Sequence, residues 1–199
     1  MNKKGHLLVT KLVSQKTGTK HRFWLLLGSI TPDLLFHTYI KGHTWKASFE
    51  RQSINIEKLW NEGHENRWFY FKLGYHLHYI EDYFTYPHNE TFPGMALAHM
   101  VYEKDLTQAL QNWQPCTSIP GMDMESASVD MLYMYLHVLH DDYLLQKKRG
   151  PETDRKYILG AACAFAQCMI SAFSRNEQKI KRSNPLLQAP DILKGNILT

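Results

Sequence analysis

Residues 74–105, GYHLHYIEDYFTYPHNETFPGMALAHMVYEKD, contain the strongest indications of both the fold and the chemistry of this chain. The stretch holds five residues of the kinds that bind metal ions: His78, Asp82, His88, His99 and Glu103. The first two are four residues apart in one predicted helix, and the last two are four apart in the next. Side chains at i and i+4 lie on one helical face, about 5–6 Å apart at Cβ, so each pair can converge on one ion. A single pair can also be an ion pair, but two pairs with a histidine between them favour metal binding.

The predicted helix over residues 66–84 is apolar on nearly every side, which is typical of a buried helix. Burial makes His76, His78, Glu81 and Asp82 costly unless each has a partner. Neutral imidazole and carboxylate are donors that zinc accepts, so shared metal ions would supply such partners. We expect His76 to pack or hydrogen-bond instead, because its position turns it away from His78 around the helix.

Helical periodicity and its breaks predict an all-α protein of about seven helices, without an alternating strand pattern. Besides residues 66–84, the predicted helices cover 6–16, 20–30, 45–62, 94–113, 124–147 and 153–181. A chain of 199 residues is long enough for one sizeable core. We therefore predict a single helical domain over residues 1–182 and a C-terminal tail over residues 183–199.

The net charge and the cysteine content of the chain argue against two classes of protein. A formal net charge of +4 gives no case for a protein that coats nucleic acid, and we expect no stable nucleic-acid complex. Cys163 and Cys168 lie in an apolar predicted helix and are expected to be buried thiols, not part of a disulfide framework.

The sequence also gives an expectation for the cellular location of the protein. The N-terminal residues lack the apolar segment of a signal peptide, so we expect a cytoplasmic protein. Residues 157–173 are apolar but fall short of about 18 residues and include polar side chains, so we expect a buried helix and no transmembrane segment.

The order H-x3-D-x5-H followed by H-x3-E resembles the zinc-dependent phospholipase C family and its relatives, the zinc-dependent single-strand nucleases. The segment LGYHLHYIEDYFTYPHN, residues 73–89, looks like the core helix of that family. GSITPDLL, residues 28–35, looks like its upstream aspartate segment. Motifs support the resemblance over roughly residues 5–105, and it implies a multi-helix zinc enzyme.

The resemblance also implies a set of metal ligands. One zinc ion would be held by His88, His99 and Glu103. A second would be held by His78 and Asp82 together with two upstream residues, Asp33 and a histidine. That upstream histidine is either His43 or His37, and His43 is preferred because it lies further from Asp33.

A third zinc ion is implied, bound by His6 and reached by Asp82. Family members that are secreted begin with a tryptophan whose amine and carbonyl bind this ion, whereas here Met1 precedes His6 by several residues. The third ion is therefore expected to be bound differently, more weakly or not at all. Residues that would form a choline pocket are not recognisable, so phosphatidylcholine specificity is not implied.

The implied reaction is hydrolysis of a small phosphodiester or phospholipid with two or three zinc ions and Asp33 as general base. One alternative is a nuclease or nucleotide phosphohydrolase that uses the same cluster. Another is a non-catalytic helical protein that retains a structural zinc site. An HD-type phosphohydrolase is disfavoured, because only His140 and Asp141 supply an adjacent His-Asp pair.

Overall fold

The structure, a computed structural model, describes residues 1–35, 42–62, 65–90, 92–93, 95–112, 124 and 126–183, with side chains as far as residue 175. Within these ranges it contains seven α-helices and no strand, which confirms the all-α prediction. The helices are α1 (Lys3–Thr17), α2 (Arg22–Ile30), α3 (Trp45–Asn61), α4 (Arg67–Tyr83), α5 (Ala96–Gln111), α6 (Val129–Leu145) and α7 (Pro151–Ser183). Two short 3-10 turns, Pro32–Leu34 and Tyr86–His88, follow α2 and α4.

Helix α1 begins earlier than its apolar periodicity predicts. The side chain of Asn2 accepts a hydrogen bond from the backbone N–H of Gly5, at 3.0 Å, and so caps a first turn that contains two lysines. Because these lysines are polar, the hydrophobic pattern starts only at Leu7 and misses the first turn. As a result His6 lies within the helix, one turn after Asn2, and its side chain is fully buried.

Helices α2 and α4 are the most closely packed pair, and glycines make the contact possible. A Cβ atom on Gly28 would lie 2.0 Å from the carbonyl oxygen of Phe71, and one on Gly74 would lie 2.1 Å from that of Leu25. Only a residue without a side chain fits at such a distance. The two helices run in the same direction, so the end of α2 reaches the second half of α4, where His78 and Asp82 lie.

Helix α7 passes through the core. Its segment Pro151–Arg175 is the one described helix long and apolar enough to cross a membrane, with a mean hydropathy of 1.5 in an 18-residue window. However, 78% of that window is buried inside the protein, which agrees with the predicted core helix, and length and composition alone are weak evidence for a span. Cys163 and Cys168 on this helix are free, buried thiols, as predicted.

Candidate metal centre

All eight predicted ligands come together at one place in the fold. They form four overlapping groups in which the possible ligand atoms lie within 4.8 Å of one another: His6, His78 and Asp82; Asp33, His43 and His78; His43, Asp82 and His88; His88, His99 and Glu103. Five elements supply them, namely α1, the turn after α2, the residues before α3, α4 with its following turn, and α5. His43 is therefore in the cluster, whereas the alternative, His37, lies outside the described residues.

Asp82 lies at the centre of the cluster and is fully buried. Its Oδ2 atom is 3.1 Å from Nδ1 of His43, 3.3 Å from Nε2 of His78 and 3.6 Å from Nδ1 of His88. Its Oδ1 atom faces the other way and is 3.4 Å from Nε2 of His6. Burial by itself raises the pKa of this carboxyl, but His88 and the other positive or polar neighbours outweigh burial and hold the pKa well below its usual range. A carboxylate with neighbours on both oxygens can bridge two ions.

His78 is oriented by the close contact between α2 and α4. Its Nδ1 atom lies 2.9 Å from the backbone carbonyl oxygen of Ser29, the acceptor for an Nδ1–H group. With the proton on Nδ1, the lone pair of Nε2 faces Asp82 and also Asp33, whose Oδ1 atom is 3.8 Å away. In metal sites, an acceptor behind the histidine, such as this carbonyl, fixes which ring nitrogen carries the proton.

His6 lies against His78, with ring centroids 4.0 Å apart and an angle of 22° between the planes. Burial, followed by the neighbouring His78, lowers the pKa of His6 to about 3, so its imidazole is neutral. Its buried Nε2 atom has no hydrogen-bond partner among the residues that the structure describes. A neutral imidazole with an unpartnered nitrogen directed at a carboxylate is suited to bind a cation.

The amine of Met1 is a member of the cluster that the motifs did not identify. It is buried, 2.5 Å from Oδ1 of Asp82, 3.0 Å from Nε2 of His88 and 3.2 Å from Oε1 of Glu103. Burial alone would lower the pKa of the amine, but Asp82 and Glu103 outweigh burial and raise it. A positive charge thus lies where the carboxylates converge.

His88, His99 and Glu103 form the more exposed side of the centre. Nε2 of His99 is 2.9 Å from Oε1 of Glu103, and Nε2 of His88 is 3.7 Å from the same oxygen. Burial raises the pKa of Glu103, but the neighbouring His88, the Met1 amine and His99 together lower it to about 2. Burial lowers the pKa of His88 to about 4, so both groups are in the protonation state that binds metal.

A cavity of about 670 Å³ opens onto this side of the centre. Its lining includes the ligand candidates Asp33, His43, His88, His99 and Glu103, the first four residues of the chain, and the flanking Thr44 and Pro87. Lys3 and Lys4 therefore add positive charge at the cavity. Burial raises the pKa of Asp33, which strengthens it as a base.

Asp154 supports the centre from α7 and was not identified from the sequence. It is fully buried and accepts hydrogen bonds from the backbone N–H of Tyr86 at 2.7 Å, from the hydroxyl of Tyr102 at 2.8 Å and from that of Tyr143 at 2.9 Å. Tyr86 is in the turn that carries His88, and Tyr102 precedes Glu103. Burial raises the pKa of Asp154 to about 6.

The remaining buried histidines have other roles. Nδ1 of His76 is 2.8 Å from the side-chain oxygen of Gln52, which confirms that it hydrogen-bonds away from the cluster. His140, the histidine of the adjacent His-Asp pair, is buried and stacks on Trp45 with ring centroids 4.0 Å apart. It belongs to none of the metal-capable groups among the described residues, so the HD-type alternative gains no support.

The residues present fit zinc. Imidazole nitrogens and carboxylate oxygens are among the donors that zinc takes in proteins. Three carboxylates, Asp33, Asp82 and Glu103, lie close together, and a divalent cation would offset the cost of keeping them charged away from water. The unpartnered Nε2 atom of His6 points to the same conclusion.

Comparison with known proteins identifies one family. The family model described as zinc dependent phospholipase C matches residues 5–149, a range that extends from the first turn of α1 through the whole of α6 and includes every predicted ligand. No curated protein and no solved structure matches the chain.

Proposed function

The chain belongs to the zinc-dependent phospholipase C family, and on that premise we propose that it hydrolyses phosphodiester bonds with two or three zinc ions. The observation that carries the proposal is the overlap of the four metal-capable groups, in which His43, His78, Asp82 and His88 each belong to two. Overlapping groups favour neighbouring ions over one isolated ion, and neighbouring ions are a usual arrangement in enzymes that cleave phosphodiesters.

The contacts support the following division of ligands. His88, His99 and Glu103 would hold one ion at the cavity. Asp33, His43 and His78 would hold a second. Asp82 would bridge towards a third, held also by His6 and next to the amine of Met1.

When bound, zinc would polarise the phosphoryl oxygens and lower the pKa of water towards about 7. Asp33 is our candidate for the general base, because its carboxylate lines the cavity and burial raises its pKa. Its oxygens would accept the proton of the attacking water. Lys3 and Lys4 would attract the negatively charged phosphodiester to the cavity.

The proposed substrate is a small phosphodiester or the head group of a phospholipid. A cavity of about 670 Å³ is within the usual range of roughly 300–1,000 Å³ for ligand sites. An open cavity beside the ligands also favours catalysis over a structural zinc site, since structural sites have closed coordination shells.

Elemental analysis of protein purified without chelator, combined with a substrate panel, tests this proposal. We expect two or three zinc ions per chain and EDTA-sensitive cleavage of a chromogenic phosphodiester. Phosphatidylcholine and single-stranded DNA in the same panel distinguish a phospholipase from a nuclease.

The His99→Ala variant provides the matching mutational test. It should lose zinc and at least about 100-fold in activity, more than the loss of a supporting residue usually costs. The exposed His21, replaced by alanine, serves as the control and should leave both unchanged. Zinc-free wild-type protein, or full activity after EDTA and in His99→Ala, would show that the proposal is wrong.

A further inference from the structure

Glu81 is a buried glutamate beside the metal centre that the ligand motif leaves unexplained. It is fully buried, yet it belongs to none of the metal-capable groups in the described part of the chain. Its two oxygens face α1: Oε2 is 2.5 Å from Nδ1 of His6, and Oε1 is 3.4 Å from the hydroxyl oxygen of Thr10. His6 and Thr10 are one helical turn apart, so a single face of α1 holds both oxygens.

We propose that Glu81 is a positioning residue of the metal centre, which orients His6 so that its Nε2 atom is presented to an ion shared with Asp82. This inference rests on the proposed function, because it assumes that the cluster binds metal. It adds a role for a residue outside the ligand set.

The geometry of the His6 ring carries the inference. An imidazole that binds metal through Nε2 keeps its proton on Nδ1, and that proton needs an acceptor. Oε2 of Glu81 is in the position of that acceptor. The opposite nitrogen, Nε2, is buried, has no hydrogen-bond partner in the described part of the chain and lies 3.4 Å from Oδ1 of Asp82.

The neighbouring His78 shows the same arrangement with a different acceptor. Its Nδ1 atom is 2.9 Å from the carbonyl oxygen of Ser29, and its Nε2 atom faces the cluster. The two stacked rings thus direct the same nitrogen inward. A carboxylate acceptor raises the basicity of the imidazole more than a carbonyl does, so Glu81 would strengthen His6 as a ligand.

A role in packing alone does not explain a glutamate at this position. Burial, followed by the neighbouring Asp82, raises the pKa of Glu81 well above its usual range. An ionised side chain is therefore unfavourable here, and an apolar residue of similar size would fill the same space without that cost. Retaining the carboxylate is consistent with a need for an acceptor opposite His6.

Three variants test the inference. Glu81→Leu removes the acceptor, and Glu81→Gln keeps an acceptor oxygen without the charge. The matched control is Gln52→Leu, which removes an equally buried acceptor from Nδ1 of His76 on the same helix but outside the cluster.

Zinc affinities are measured by competition with a chelator of known affinity. We expect Glu81→Leu to lower the affinity for one zinc ion by about 10–100-fold and Glu81→Gln to lower it less. Gln52→Leu should bind zinc as tightly as the wild-type protein does. If Glu81→Leu does not fold, Glu81→Gln decides the question, and wild-type affinity in that variant would overturn the inference.

NMR of the zinc-loaded, ¹⁵N-histidine-labelled protein supplies a readout that packing defects do not change. The Nδ1–H proton of His6 should resonate far downfield because it is hydrogen-bonded to a carboxylate, and a His6→Gln spectrum assigns it. The signal should shift or disappear in Glu81→Leu and persist in Gln52→Leu. Wild-type affinity with an unchanged His6 signal in Glu81→Leu overturns this inference alone, whereas a wild-type protein without zinc overturns the proposed function and this inference together.

Discussion

Replacing Gly74 with alanine tests whether the contact between α2 and α4 builds the metal centre. The added Cβ would lie 2.1 Å from the carbonyl oxygen of Leu25 and 2.9 Å from the backbone nitrogen of Ser29, whereas ordinary contacts begin at 3.4 Å. Both neighbours are backbone atoms of α2, which cannot rotate away as a side chain can. The helices would therefore have to separate locally by about 1.3 Å.

Two opposing effects determine the change in the free energy of unfolding. Alanine is favoured over glycine by about 1 kcal/mol in a helix interior, whereas overpacking a core costs roughly 1–3 kcal/mol and occasionally more. With backbone on both sides of the clash, we expect a cost of about 3 kcal/mol and a net loss of about 2 kcal/mol. For a chain of this size that corresponds to a decrease in Tm of about 4–8 °C.

The same displacement should reach the metal centre. His78 is one turn beyond Gly74, and its ring is held by the hydrogen bond between its Nδ1 atom and the carbonyl oxygen of Ser29, which is 2.9 Å long in the wild-type protein. A shift of that size would take this hydrogen bond beyond the usual 2.7–3.2 Å range and release the ring. We therefore expect zinc content to fall together with stability.

Urea unfolding and elemental analysis measure the two effects. The control is Gly150→Ala, because a Cβ there meets no atom of the described residues within 4 Å and the backbone has no positive φ. It should change stability by no more than a few tenths of a kcal/mol. If Gly74→Ala is as stable as wild type and binds zinc fully, the contact does not constrain the site as argued.

Two further predictions concern residues that the motifs did not identify. In a chain that begins at Met1, adding one residue before it replaces the buried amine with an amide, whose nitrogen cannot bind an ion, and forces extra atoms into the centre. Zinc content should therefore fall relative to a protein extended at its other end; equal contents would contradict this. Asp154→Asn removes a charged acceptor for the Tyr86 N–H, so the free energy of unfolding in urea should fall by about 1–3 kcal/mol. Because the turn that carries His88 would no longer be held, the affinity for zinc should also fall about 10-fold. Asp141→Asn, at an exposed position, is its control, and similar zinc affinities in the two variants would argue against this role.

The features that the sequence predicts well depend on local regularity. The apolar surface of residues 66–84 indicates a buried helix, and the spacing of His78 with Asp82 and of His99 with Glu103 follows from helical geometry alone. These patterns involve residues within one turn of each other. They could therefore be read without knowing how the helices pack.

The contacts that the sequence does not predict join distant parts of the chain. The Met1 amine meets Asp82 because Asn2 caps α1 and extends it to the cluster, and nothing in the hydrophobic pattern indicates that cap. Asp154 meets Tyr86 only because α7 crosses behind the turn. Neither partner has a spacing that marks it, so tertiary packing alone creates these contacts.

Glu81 and Asp82 show which features follow from the local sequence pattern and which depend on tertiary packing. Both are buried acids in the same turn of α4, and the sequence indicates for both that burial requires a partner. Helical geometry separates them by about 100°, which places Asp82 on the face of His78 and turns Glu81 towards another neighbour. That neighbour is α1, whose His6 and Thr10 bind its two oxygens. The division between the proposed bridging ligand and the proposed supporting acceptor thus follows from which helix packs on each face, and a motif of one helix cannot contain that information.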